Sequence, residues 1–192
     1  MEAGHEVTAL VRTPSKLPPE LRVRVSVIEG DGLNGVDVAR TIAPGTDAVL
    51  FAVGIDKQSP EDLCTDVTRH ILETMRREGT PRLIWCGGGS TLVDEDVVNF
   101  GANFVAWFAR TFMALRQRDK VHQLALLQES TDVDWIGLRP LQMRKGPKRS
   151  EYRIGFDAFS GFSKISFADC AHAMIGMLDD DTWRHRVPII QY

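Results

Sequence analysis

Short apolar runs, each closed by a turn signal and separated from the next by a helical stretch, set the limits on this fold. Ala48-Val49-Leu50-Phe51-Ala52-Val53 is uninterrupted and ends at Gly54; Arg82–Cys86 runs straight into Gly87-Gly88-Gly89-Ser90. A continuous apolar run too short for a helix suits a strand buried on both faces, and such strands belong to parallel sheets covered by helices. Residues 6–12 have the same character, with Val7, Ala9, Leu10 and Val11 apolar. Residues 23–29 alternate and predict a second strand, and Asp134–Pro140 a later one. Residues 187–190 predict a last strand at a sheet edge, because Pro188 lacks a donor.

Helices are expected between these runs. Residues 36–42 suit a short one. Ser59-Pro60-Glu61-Asp62 supplies an N-cap, a proline at the first helical position and acids in the first turn, predicting a helix to about residue 78 before Gly79. Residues 100–130 read as a single long helix, and Ser166-Phe167-Ala168-Asp169 as a capping box opening another to about residue 178. Strand alternating with helix implies an α/β fold, a doubly wound parallel sheet, and 192 residues suit one domain.

A net charge of −3 argues against a general nucleic-acid binder. The three cysteines, Cys64, Cys86 and Cys170, are scattered, with no CxxC pair and no metal-ligand spacing. That pattern fits a reducing compartment and no metal site. No apolar run is long enough to span a bilayer. A cytoplasmic protein acting on a small molecule, away from membranes and nucleic acid, is the expectation.

Ligands of such sheets bind beyond the carboxyl ends of the strands. Those ends carry Arg12, Gly30-Asp31, Ala52-Val53-Gly54, Gly87-Gly88-Gly89 and Arg139-Pro140, and small residues there let a ligand lie against backbone. Where such a sheet holds a dinucleotide, the residue ending the second strand selects it. A carboxylate accepts from a ribose 2′-OH, whereas a guanidinium pairs with a 2′-phosphate. Arg12, with Lys16 close behind, favours NADP over NAD. Phe100, Phe104, Trp107, Phe108 and Phe112 recur at helical spacing, which suits core packing, a lid over a flat substrate, or a dimer seam.

In order along the chain, GHEVTALVR with a following lysine, then GD, DAVLFAVG, RLIWCGGGS, DWIGLRP and SKISFADCAHAM resemble the atypical short-chain dehydrogenases. More narrowly they resemble the NAD(P)H-binding group that includes NmrA-like proteins and biliverdin-IXβ/flavin reductase. The resemblance implies a Rossmann-like sheet holding NADP(H). By match, Arg12 would hold the 2′-phosphate, and Asp31 with Gly32 would border the adenine. Ala52, Val53 and Gly54 would line the ribose and phosphate side, and Gly87, Gly88, Pro140 and Leu141 would approach the nicotinamide. Lys120 and His122 fall where the superfamily keeps acid–base residues, and Ser90 lies near the position of its serine.

Two departures stand out. The family opens with a strand and a GxxGxxG turn leading into a helix, and this chain begins inside the end of that helix. The absent strand would lie between those of residues 6–12 and 48–53, so two strand edges should lack partners, and pyrophosphate binding should suffer. The expectation is that Met1 is not the natural start, or that the chain is a truncated copy. The second departure is chemical: neither Tyr152 nor Tyr192 has the lysine four residues on that the superfamily uses. The resemblance thus implies an NADP(H)-binding reductase of a flavin, quinone or similar conjugated molecule, as monomer or homodimer. The alternatives are a non-catalytic dinucleotide sensor of the NmrA type, acting on a protein partner, and an inactive copy.

Overall fold

A computed structural model describes residues 4–56, 58–157 and 164–192; residues 1–3, where the chain opens, lie outside these. Along the chain come β1 (Thr8–Val11), a 3-10 turn (Pro14–Lys16), α1 (Pro19–Arg22), β2 (Ser26–Glu29), α2 (Gly35–Thr41), β3 (Ala48–Phe51) and α3 (Leu63–Glu78). They are followed by β4 (Arg82–Cys86), α4 (Phe100–Phe112), α5 (Ala114–Glu129), β5 (Asp134–Pro140), β6 (Met143–Arg144), β7 (Arg153–Gly155), β8 (Ile165–Ser166), α6 (Phe167–Gly176) and β9 (Ile189–Gln191). The chain forms two compact units, Met1–Asp47 with Asp66–Thr80, and Ala48–Thr65 with Pro81–Tyr192.

In the first unit β1 and β2 pair in parallel, Val11 opposite Glu29. The chain then turns sharply: the Asp37 carboxylate accepts from Asp31 N at 3.0 Å, and the Asn34 side chain caps α2 by accepting from Val36 N. A side chain at Gly32 would meet Val67 on α3 at 3.0 Å, so glycine lets this turn close against the helix. β1 is half-buried rather than buried on both faces, since β2 is its one ladder partner among the described residues. The predicted strand over 23–29 shortens to β2, and Val23 is exposed.

The second unit holds a five-stranded sheet in the order β3-β4-β5-β9-β7. The first four strands are parallel, with Cys86 opposite Leu138, and β7 runs antiparallel to β9. Ile84, Cys86, Ile136 and Leu138 share one face and pack on Cys170, Ala173 and Met174 of α6. On the other face Trp85 and Trp135 are buried. Gly137 is forced here, because a Cβ would sit 2.5 Å from Val187 and 2.7 Å from the Trp85 indole nitrogen. β6 and β8 form a small parallel pair beside the sheet's own ladder. No described helix is long and apolar enough to cross a membrane.

Three further expectations are corrected. β9 is an interior strand, because its proline lies just outside it and Pro188 O still accepts from Arg139 N; the edge falls to β7. The long helix over 100–130 breaks at Met113, whose φ of −131° and ψ of 32° end one helix and begin another. No glycine or proline marks that break. The helix expected from Ser59 begins at Leu63, because Ser59 Oγ turns back onto Asp56 (3.0 Å) and the capping acceptor comes from elsewhere in the fold.

Ser166 caps α6, its Oγ accepting from Asp169 N at 2.9 Å, but the reciprocal half of the expected capping box is not made, because Ser166 N donates to Tyr192 Oη at 3.1 Å. Burial acts to raise the Asp169 pKa, but hydrogen bonds from Tyr192 Oη, Ser150 N, Arg149 N and Ser166 Oγ outweigh it and hold the carboxyl well below its ordinary value. A carboxyl depressed on folding stabilises the fold above its unfolded pKa of ~3.9, and this contribution is lost as pH falls toward the folded value. Asp169→Asn should therefore flatten the stability curve between about pH 5 and 3. Denaturant titrations across that range check it; an unchanged slope would refute the assignment.

Candidate functional site

In the second unit the carboxyl ends of β3, β4 and β5 lie along one edge of a parallel ladder. Ala52, Val53 and Gly54 leave β3 exposed to solvent, and a Cβ on Gly54 would meet nothing within 4 Å. Gly87, Gly88 and Gly89 extend β4 alongside β5: Gly87 N donates to Leu138 O at 2.8 Å and Gly89 N to Pro140 O at 2.9 Å. This brings Gly87 and Gly88 beside Pro140 and Leu141.

The three glycines have different reasons. A Cβ at Gly87 would lie 2.6 Å from the Trp85 ring, so the sheet's own packing excludes a side chain there. At Gly89 it would meet the Leu141 backbone at 2.9 Å. Gly88 has only Ser90 Oγ, at 3.9 Å, and is the open position where a ligand can approach backbone.

The three acid–base candidates do not form one constellation. Ser90 Oγ donates to Gln117 Oε1 at 2.7 Å, and Gln117 Nε2 returns a bond to Ser90 O at 3.2 Å. One turn on, half-buried Lys120 Nζ reaches Cys64 Sγ at 3.2 Å and Gln123 Oε1 at 3.1 Å. Cys64 Sγ in turn lies 3.9 Å from Val53 O, which ties the amine to the β3 exit. Burial raises the Cys64 pKa, partly opposed by the Lys120 charge. His122 is exposed and pairs with Asp62 at 3.2 Å, an ordinary surface contact.

Arg139, which the strand-exit pattern offers to a ligand, is buried instead. Its guanidinium binds Asp96 in bidentate fashion at 2.8 and 2.6 Å and also donates to Thr91 O and Val187 O. This pair pins the segment that follows the glycine exit. Asp119, also buried, accepts from Cys64 N, Thr65 N and Thr65 Oγ1, and so supplies the cap of α3. Gln117, Asp96 and Asp119 were not legible as site-building residues. The one available signal was the spacing of Gln117 and Lys120, which puts them on one helix face.

In the first unit Arg12 directly follows β1 at its carboxyl end, and Lys16 closes the 3-10 turn after it. Both are exposed, and among the described residues neither side chain makes a hydrogen bond or ion pair. Asp31, half-buried, accepts from Leu33 N at 3.0 Å, and Gly32 follows it in the tight turn. An open groove of about 610 Å³ lies at the amino ends of β1 and β2, away from these residues. Among the described residues no cluster of His, Cys, Asp and Glu can hold a metal ion, and all three cysteines are free.

The chain is 27% identical over 182 residues to the uncharacterized protein YwnB of Bacillus subtilis strain 168, covering 92% of this chain and 82% of that one. Its fold matches a candidate NADH-flavin reductase from Streptococcus pneumoniae TIGR4, with a TM-score of 0.72 and 22% identity over 99% of this chain and 89% of that one. It also matches a short-chain dehydrogenase/reductase from Veillonella parvula DSM 2008 in complex with NADP, with a TM-score of 0.73 and 17% identity over 97% of this chain and 82% of that one. The model of the NAD(P)H-binding family matches residues 1–181. With its parallel sheet and glycine-lined strand exits, this chain belongs to the NAD(P)H-binding family of Rossmann-like proteins.

Proposed function

We propose that the chain binds NADP(H) in preference to NAD(H) and reduces a conjugated small molecule such as a flavin or quinone in the cytoplasm. The observation that carries the cofactor reading is the pair of exposed cations Arg12 and Lys16, with no partner among the described residues, at and just beyond the carboxyl end of β1. A guanidinium there matches a 2′-phosphate in charge and fork geometry. The open backbone at Gly54 and Gly88 fits a cofactor lying across the strand ends. The neighbour in complex with NADP supports the cofactor reading, and the neighbour described as a candidate NADH-flavin reductase supports a flavin as the substrate.

A bound reduced nicotinamide supplies a hydride. The chain's own residues would hold it: Gly88, Pro140 and Leu141 on the nicotinamide side, Ala52, Val53 and Gly54 on the ribose side, Asp31 and Gly32 by the adenine. Lys120 sets a positive charge behind the β3 exit. No tyrosine offers a proton there. Tyr192 Oη is bound to Asp169 at 2.7 Å, and burial first, then the Asp169 charge, raises the Tyr152 pKa. Four residues before Lys120 stands Arg116. An acceptor able to take its proton from water suits such a site, which favours flavins and quinones over simple ketones.

The same lack of a tyrosine donor favours a second reading, a non-catalytic dinucleotide sensor of the NmrA type. Thermal shift and calorimetric titration with NADPH and NADH test the cofactor. NADPH should bind more tightly, and Arg12→Glu should weaken it by about 10- to 100-fold while leaving NADH little changed. Equal affinity for both dinucleotides, or none for either, overturns the cofactor reading. NADPH oxidation that needs added quinone or flavin supports the reductase, and stabilisation by NADPH without turnover replaces it with the sensor.

A further inference from the structure

The helix α4 carries an apolar face that the fold leaves uncovered. Phe100 is 88% exposed, Phe104 51%, Trp107 53%, Phe108 44% and Phe112 66%. The opposite face is inside: Ala106 and Ala109 are buried. The rings already pack on one another along the helix, with Phe104 5.8 Å from Trp107 and Phe108 4.9 Å from Phe112. Val97, Val98 and Met113, all exposed, extend the patch at its two ends. Arg110 is the one charged residue within the helix. Core packing is thus excluded as the role of these aromatics.

At about 200 Å² per ring, the five side chains leave about 600 Å² of aromatic surface in water, at the upper limit of what a monomer tolerates. Two such faces together would bury about 1,200 Å², the lower end of stable interfaces. Their arrangement says what fits them. About residue 106, Phe100 mirrors Phe112 and Phe104 mirrors Phe108. Two copies of α4 crossing antiparallel at that point set each phenylalanine against a phenylalanine, the self-complementarity that a two-fold axis requires.

We propose that the chain is a homodimer whose subunits pair through α4 in an antiparallel two-fold contact centred near Ala106. Trp107, beside the axis, is its anchor. This proposal is independent of the cofactor reading.

Sedimentation equilibrium of the full chain between 1 and 100 μM tests it. The expected species is twice the 21.5 kDa chain mass. Trp107→Glu should raise the dissociation constant at least ~100-fold, because the charge enters the interface twice. As Trp107 is half-exposed, the far-ultraviolet spectrum should not change. Orientation is read by cross-linking Phe100→Cys and Phe112→Cys, since the native cysteines are buried. In an antiparallel pair two copies of residue 100 stand ~18 Å apart along the axis, whereas 100 faces 112. Only a mixture of the two variants should then cross-link efficiently. A monomer at 100 μM, a dimer indifferent to Trp107→Glu, self-cross-linking of Phe100→Cys alone, or recruitment of the monomer to lipid vesicles through α4 would each overturn the proposal.

Discussion

Asp96→Ala should destabilise the protein by about 3–5 kcal/mol and lower its melting midpoint by about 6–20 °C. The carboxylate is buried and accepts two bonds from the Arg139 guanidinium and one from Val93 N. Its removal leaves a guanidinium with no exposure to water and no counter-charge. Arg139→Met should cost a similar amount, since it strands Asp96 and takes a donor from each of Thr91 O and Val187 O. The pair itself need not be a net gain, because desolvating two ions offsets much of their attraction. The double variant Arg139→Met with Asp96→Leu should therefore recover at least half of either single loss. Chemical denaturation of the parent, these variants and the single Asp96→Leu variant that completes the cycle measures this. Single variants within about 1 kcal/mol of the parent would show that water reaches the pair, and a double variant as weak as the sum would show no coupling.

The pair also marks where sequence reading reached its limit. β4 was readable to the residue because its apolar run ends in glycines, and β5 because its tryptophan, isoleucine and leucine stop at a proline. The short α2 and the Ser166 cap were legible for the same local reason. Arg139 was not. It ends a strand as Arg12 does, and nothing local distinguishes a guanidinium buried on Asp96, 43 residues earlier, from one left free for a ligand. The break at Met113 was equally silent, since helix propensity continues through it, and so was the interior place of β9, which depends on β7 pairing back in the antiparallel sense. The glycine exits were legible as positions, but only the geometry separates Gly87, held by Trp85, from open Gly88.

Asp119→Ala should cost about 2–4 kcal/mol, more than any neighbouring substitution on α5. In sequence this aspartate stands between Arg118 and Lys120 and reads as one charge in a solvated helix face. In the fold it is fully buried, and its two oxygens receive Cys64 N at 2.8 Å, Thr65 N at 2.9 Å and Thr65 Oγ1 at 2.7 Å. These are orphan donors at the start of α3, where a negative charge is also favoured by the helix dipole. Alanine leaves them buried and unmet. Asparagine keeps one acceptor but sets an amide donor against one of these donors and removes the charge, so it should fall between alanine and the parent. Arg118, one residue away, is exposed and pairs with exposed Glu61, so Arg118→Ala should leave stability close to that of the parent. The variants also report on the site, because Lys120 meets Cys64 at the same helix start. Loosening that start should expose the Cys64 thiol, and its labelling by a disulfide reagent should quicken in Asp119→Ala but not in Arg118→Ala. Equal losses for Asp119→Ala and Arg118→Ala, or unchanged labelling of Cys64, would mean that α3 holds its first turn without this carboxylate.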